Sequence, residues 1–267
     1  MSRTVSSQPP APYLPLRAGK MVRRGSRRRI AVVIPAFNEA RLLGATLGGL
    51  PTWVDLAIVV DDASVDGTAE VALRDWRVPV HLCSHGRNQG VGAAIVTGYR
   101  ACLTQGIDIA VVMGADNQMH PHDLPALVQP LVDGVADYVV GDRLAWPGGW
   151  RVFPTTRLVG VLGLGVATRA ATGLPVRDAQ CGYTAITKQA LERLPLDTLY
   201  PRYGFPNDLL AKAAMAGLAV TTRPVRPIYA DESSDLRIPK VVAPLVRLTL
   251  GNALARLHRK TGAHRGS

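Results

Sequence analysis

The sequence predicts an α/β protein: a single domain of alternating strands and helices around a mostly parallel central sheet. Three observations predict it. Short apolar runs recur along the chain, each closing on a polar turn, as strands buried on both faces do. A segment with helical spacing follows most of these runs, and strands that alternate with helices are joined by parallel crossovers. The chain has 267 residues, enough for one large α/β domain with a substantial core.

The first strand is Ile30 to Ile34, closed by Pro35 and the polar turn Phe37-Asn38-Glu39, with a helix from Arg41 to Leu50. The second, Leu56 to Val60, ends in Asp61-Asp62-Ala63-Ser64 and leads through Gly67-Thr68 into a helix reaching about Trp76. Val78 to Leu82 is a third short strand, after which the turn Gly86 to Gly92 opens a helix to about Thr104. Ile107 to Met113 is a fourth strand, and it stops abruptly at Gly114-Ala115-Asp116-Asn117-Gln118. A helix from His122 to Gly134 and a strand from Tyr138 to Gly141 follow, then Asp142-Arg143 and a loop rich in Trp, Pro and Gly. Thr155 to Gly173 reads as helix, Gln180 to Ile186 as strand, Phe205 to Ala216 as helix and Ala219 to Pro227 as a late strand. Val241 to Arg259 alternates apolar residues with arginines and is amphipathic if helical.

The formal charge of +11 is carried by the two ends. Residues 1–29 hold eight basic side chains and residues 237–267 hold seven, with no acid in either segment, so the body between them is mildly acidic. We divide the chain accordingly into a disordered basic tail (1–29), a catalytic domain (30–236) and a basic C-terminal segment (237–267) suited to a membrane surface. Cationic ends can bind an anionic membrane surface or nucleic acid. No run approaches the roughly 18 apolar residues of a membrane span. The proline-rich start lacks the apolar core of a signal peptide, so a cytoplasmic location is expected. Cys83, Cys102 and Cys181 have no metal-ligand spacing and are expected to be free thiols.

The polar residues gather where the strands end. Asn38-Glu39, Asp61-Asp62, Asn88 and Asp116 with Gln118 all fall at the ends of predicted parallel strands, and ligands of open α/β sheets bind along that edge. One such turn alone signifies little, because Asn and Asp favour turns for backbone reasons. Several side by side can supply acceptors for a base and a ribose. A carboxylate such as Asp116 can hold a divalent cation, and the cation a diphosphate. Gly90-Val91-Gly92 is neither a P-loop nor a dinucleotide fingerprint, since no Gly-Lys-Ser/Thr follows and Ile95 stands where the third glycine would be.

Five motifs in this order carry a resemblance: Pro35 to Glu39, Val59 to Thr68, Asn88 to Ala94, Asp116 to Pro121 and Asp178 to Tyr183. The series resembles family-two glycosyltransferases over about residues 30 to 240. It looks closest to the dolichol-phosphate mannosyltransferase or polyprenyl-phosphate glycosyltransferase branch. The resemblance implies a Rossmann-like nucleotide-sugar-binding domain of the GT-A type and an inverting, peripherally membrane-associated enzyme. It implies that Pro35, Phe37 and Glu39 flank the nucleotide, that Asp61 and Asp62 bind base and ribose with Asn88 nearby, and that Asp116 and Gln118 hold Mg2+ or Mn2+. The family's usual Asp-x-Asp reads Gly114-Ala115-Asp116 here, so the first carboxylate is absent.

The expected partners are a nucleoside diphosphate sugar, a polyprenyl phosphate and an anionic membrane surface, with no nucleic acid. Mannose is the first sugar expected and glucose the second. A lipid phosphate has a second pKa near ~6 and is already a nucleophile at neutral pH; it needs cationic positioning more than a base. Arg143 and Arg157 are the leading candidates for that task, with Arg202, Arg237 and Lys240 behind them. Asp208 stands where relatives carry an acidic pair that serves hydroxyl acceptors, and here the first member is Asn207. The alternatives are a glycosyltransferase acting on a soluble hydroxyl and a non-catalytic nucleotide-sugar-binding module.

Overall fold

The computed structural model describes residues 27–228, apart from the side chains of residues 156 and 157. Expectations for residues 1–26, for the amphipathic segment from Val241 and for Arg237 and Lys240 lie outside the described residues, as does the side chain of Arg157. Seven strands form one sheet in the order β3-β2-β1-β4-β6-β5-β7. They are β1 (Ile30–Ala36), β2 (Leu56–Asp61), β3 (Val80–Ser84), β4 (Ile109–Val112), β5 (Tyr138–Asp142), β6 (Thr184–Thr187) and β7 (Val220–Pro224). The helices are α1 (Ala40–Gly48), α2 (Thr68–Ala72), α3 (Val91–Thr104), α4 (Leu124–Val132), α5 (Thr155–Thr172), α6 (Lys188–Arg193) and α7 (Phe205–Met215).

The apolar runs read from the sequence are the buried middle of this sheet. β1, β2, β4, β5 and β6 are almost wholly buried, whereas β3 and β7, at the two edges, are half-buried, with Ser84 at the end of β3 exposed. Helix α3 packs on β1 and β2, α4 packs on β5 and β6, and α5 lies on α7. Pro35 can sit within a central strand because the ladder between β1 and β4 ends at Val33 and Val112, so its missing N–H faces no acceptor in that ladder. Burial pushes the thiols of Cys102 and Cys181 up to about 12, which keeps them protonated at neutral pH.

All strands run parallel except β6, which pairs antiparallel with both β4 and β5. Strand direction is not written in an apolar run, and the sequence signals a strand here without its sense. Two further differences have local causes. α2 ends at Ala72 rather than near Trp76, because the indole of Trp76 folds back to donate to the Val71 carbonyl at 3.0 Å. Its ring tip lies against Gly44, where an added Cβ would touch Cη2 at 3.4 Å. α6 was not anticipated, although Thr187 is an N-cap that accepts from the Ala190 N–H at 3.2 Å and precedes good helix formers.

Candidate active site

The strand registers bring the polar turns to one edge. Ala36 of β1 is level with Asp61 of β2, which is level with Ser84 of β3. Val112 of β4 is level with Thr184 of β6, which is level with Val140 of β5. The loops after β1, β2, β3, β4 and β5 therefore leave the sheet on the same side. Because β6 runs the other way, the segment that enters it, Asp178 to Tyr183, reaches this edge as well.

On the half formed by β1, β2 and β3, backbone donors and small side chains knit the loops together. Asn38, in the left-handed region at φ 55°, accepts from the Val65 N–H at 3.0 Å, and its own N–H donates to the Ser64 hydroxyl at 2.9 Å. Glu39 is the N-cap residue of α1 and donates its N–H to the Thr68 hydroxyl at 2.8 Å. Phe37 is exposed at the rim. Asp61 is buried at the end of β2 and accepts from the Ser64 N–H at 3.0 Å. Asp62 is buried too, and it grips the next loop: its Oδ1 meets His85 Nδ1 at 2.6 Å and the Gln89 N–H at 2.8 Å, and its Oδ2 accepts from the Gly90 N–H at 2.7 Å. His85 Nε2 lies 2.9 Å from the Thr97 hydroxyl. Asp62 thus organises the loop that presents the exposed Asn88. Sequence reasoning passed over His85, because a lone histidine carries no spacing signal.

Beyond β4 the chain turns at Asn117, again left-handed at φ 55°. Asp116 Oδ1 accepts from the Gln118 N–H at 3.1 Å, a turn that carries both residues at the rim. The Ala115 carbonyl is anchored by the buried Thr46 hydroxyl at 3.2 Å, and the Gly114 N–H contacts Met119 Sδ at 3.2 Å. Gly114 is more than a lost carboxylate: a Cβ added there would lie 2.9 Å from Asp116 Oδ1. Gly114→Ala should therefore turn the Asp116 carboxylate aside and lower turnover by about tenfold with little change in melting temperature. Steady-state rates at saturating metal, set beside calorimetry, would reveal it; an unchanged rate would mean that the orientation of Asp116 is unimportant. Among the described residues, no cluster of three or more His, Cys, Asp or Glu could cage a metal. Asp116 with the Gln118 carbonyl is an oxygen set that fits Mg2+ or Mn2+ shared with a diphosphate.

His120 follows, and its Nδ1 accepts from the His122 N–H at 3.2 Å. Burial, and then the neighbouring Arg226 and His122, push its pKa down against the pull of Asp123, so the ring is neutral at neutral pH.

The β5 side carries three arginines, each paired with an aspartate. Arg143 forms a two-pronged pair with Asp178, Nε to Oδ2 at 2.7 Å and Nη2 to Oδ1 at 2.9 Å, and its backbone N–H also donates to Asp178 at 3.2 Å. The guanidinium lies over the Phe153 ring at 5.4 Å from its centre. Arg177 pairs with Asp142, and Arg226, just past β7, pairs with Asp123 and stacks on Trp146. Asp178 lay inside a motif noted in the sequence but was assigned no role of its own; its partner is 35 residues away.

Asp208 is placed differently from the rim residues. It is buried at the start of α7, where its Oδ2 accepts from Lys212 Nζ at 2.6 Å and from the Tyr200 N–H at 2.8 Å. The segment it holds crosses the start of α3. The Pro201 carbonyl accepts from the Ala93 N–H at 3.0 Å, and a Cβ on Gly92 would collide with the Tyr200 carbonyl. Asn207, also buried, hydrogen-bonds Gln180 and, at 2.8 Å, Thr168 of α5. These contacts brace α7 against α3 and α5.

The fold is shared with solved enzymes. Glucosyl-3-phosphoglycerate synthase from Mycobacterium tuberculosis, in complex with Mn2+, UDP and glucosyl-3-phosphoglycerate, superposes with a TM-score of 0.66 at 22% identity, over 85% of this chain and 80% of that one. The architecture is that of the GT-A type glycosyltransferases, a mostly parallel sheet with its polar loops at one edge. Residues 31–194 match the family described as Glycosyl transferase family 2; the chain belongs to that family and is a glycosyltransferase. It is 34% identical over 205 residues to the undecaprenyl-phosphate mannosyltransferase of Micrococcus luteus, covering 74% of this chain and 82% of that one. Over 219 residues it is 32% identical to the UDP-N-acetylglucosamine--dolichyl-phosphate N-acetylglucosaminyltransferase of Methanococcus voltae, covering 76% and 87%.

Proposed function

We propose that this protein is an inverting glycosyltransferase that moves a sugar from a nucleoside diphosphate donor to a polyprenyl phosphate, with mannose the first candidate sugar and glucose the second. The observation that carries the acceptor is the likeness, over most of both chains, to enzymes named for undecaprenyl and dolichyl phosphate. In this reading Pro35, Phe37, Glu39 and Asp61 meet the nucleotide, while Asp62 acts through the loop bearing Asn88. Asp116 and Gln118 would hold Mg2+ or Mn2+, which when bound would offset charge on the leaving diphosphate.

Arg143, its plane held by Asp178, and Arg157 draw the acceptor phosphate against the repulsion of the donor. A phosphate oxygen attacks the anomeric carbon from the face opposite the diphosphate; the bond to the diphosphate breaks and no proton need be removed. The burial of Asp208 and its engagement by Lys212 and Tyr200 favour this over a hydroxyl acceptor, which would need a base. Asp208→Asn should then cost less than about tenfold in rate, along with a few degrees of melting temperature. A collapse in rate with the fold intact would favour the hydroxyl acceptor.

The direct test incubates the protein with labelled GDP-mannose, UDP-glucose or UDP-N-acetylglucosamine, Mg2+ and polyprenyl phosphate. We expect labelled lipid with one donor. Absence of labelled lipid with every common donor would refute the proposal.

A further inference from the structure

Helix α5 turns an apolar face outward. Its inner side is Val161, Gly165, Thr168 and Thr172: Thr168 is bonded by Asn207 of α7, and a Cβ on Gly165 would collide with the Arg177 carbonyl. On the opposite side Val159, Leu162 and Val166 are exposed by 65%, 48% and 57%. In the loop that leads into the helix, Trp150 and Val152 are exposed by 54% and 48%. Scattered exposed apolar residues are ordinary, but three on one stripe at spacings of three and four, beside an exposed Trp, make a surface.

The charge on this unit says what chemistry covers it. From Arg143 to Arg177 the chain carries five arginines and no acid. Arg143 and Arg177 are held by Asp178 and Asp142. Arg151 stacks on Trp150, 5.1 Å from the ring centre, and Arg169 lies three residues beyond Val166 on the same stripe. Apolar residues rimmed by arginines, with an indole at the margin, complement an anionic lipid surface: the arginine stems lie along the apolar layer while their heads reach phosphate groups. The helix has 18 residues, about 27 Å, and no helix among the described residues is long and apolar enough to cross a membrane. It would lie along the surface. The loop begins at Arg143, on the catalytic edge, so a lipid whose phosphate meets Arg143 would run its chain out along this unit.

We propose that the Trp146–Pro154 loop and the outer face of α5 are the surface by which the enzyme lies on an anionic membrane, setting the rim at Arg143 against the lipid headgroups. The placement of the acceptor rests on the proposed lipid phosphate; binding of the membrane itself does not require it. The full chain should sediment with vesicles of phosphatidylglycerol and phosphatidylcholine more than with phosphatidylcholine alone. Leu162→Asp/Val166→Asp should weaken this partitioning by about tenfold or more. Transfer to polyprenyl phosphate embedded in the vesicles should fall in step, and transfer to a water-soluble short-chain polyprenyl phosphate should stay within about twofold.

Brominated lipid should quench tryptophan fluorescence in the parent protein and much less in Trp150→Phe. Three results would overturn the proposal: vesicle binding kept by the double variant, quenching unchanged in Trp150→Phe, or a parent dimer that the double variant dissociates, which would make a second copy the cover of this face. The sedimentation and quenching use neither donor nor acceptor. If no donor labels either acceptor while both lipid readouts behave as expected, the lipid-acceptor reading fails and the membrane surface stands.

Discussion

Asp116→Asn should lower glycosyl transfer by about a thousandfold while leaving the fold intact. The side chain is half-buried at the rim and accepts from the Gln118 N–H at 3.1 Å, a bond the amide oxygen of asparagine can still accept. The change removes the charge and keeps that bond. Asp116 is the one acidic residue between Asp108 and Asp123, so an amide there leaves a cation only neutral oxygens in this turn besides the diphosphate. Turnover of labelled donor over a range of Mg2+ and Mn2+, read beside the melting temperature, tests this. A rate within tenfold of the parent's would remove Asp116 from the metal and diphosphate chemistry.

Asp178→Ala should have the largest effect on stability. Its carboxylate is fully buried and takes both prongs of Arg143 together with the Arg143 backbone N–H. Removing one member of a buried pair strands the other and costs about 3–5 kcal/mol. For a domain of this size that is on the order of 10 °C in melting temperature. Transfer should fall further than the unfolded fraction explains, because the guanidinium loses the acid that fixes its plane. Arg143→Met with Asp178→Leu separates the two effects: an apolar pair should recover much of the lost stability and none of the transfer. Recovery of transfer in that double variant would deny Arg143 its phosphate.

The sequence made the half built on β1 and β2 more legible than the rest. Ile30 to Ile34 and Leu56 to Val60 are uninterrupted apolar runs closed by acidic or amide turns, and each is a buried strand with its turn at the edge. Local patterns of this kind follow from what each residue does to its own backbone. What stayed hidden depends on contacts between distant segments. Asp62 looked like a ligand-facing acid, yet both of its oxygens hold the loop from His85 to Gly90. Asn207 read as an acid replaced, whereas it ties α7 to α5 and to Gln180. The segment entering β6 reaches the site only because that strand is antiparallel, a matter of global topology on which an apolar run is silent.

That reversed strand also sets the order in which the sheet can be built. β3, β2, β1 and β4 find all their mutual neighbours within the first 112 residues. β5 has both of its partners downstream, β6 and β7. As the chain leaves the ribosome, the half built on β3, β2, β1 and β4 can close early, while β5 emerges with two unsatisfied ladders and waits more than forty residues for the first of them. The arginine-bearing half is therefore the late and vulnerable part of biosynthesis. A pause or lesion between β5 and β6 would leave an open apolar edge for chaperones or aggregation to find.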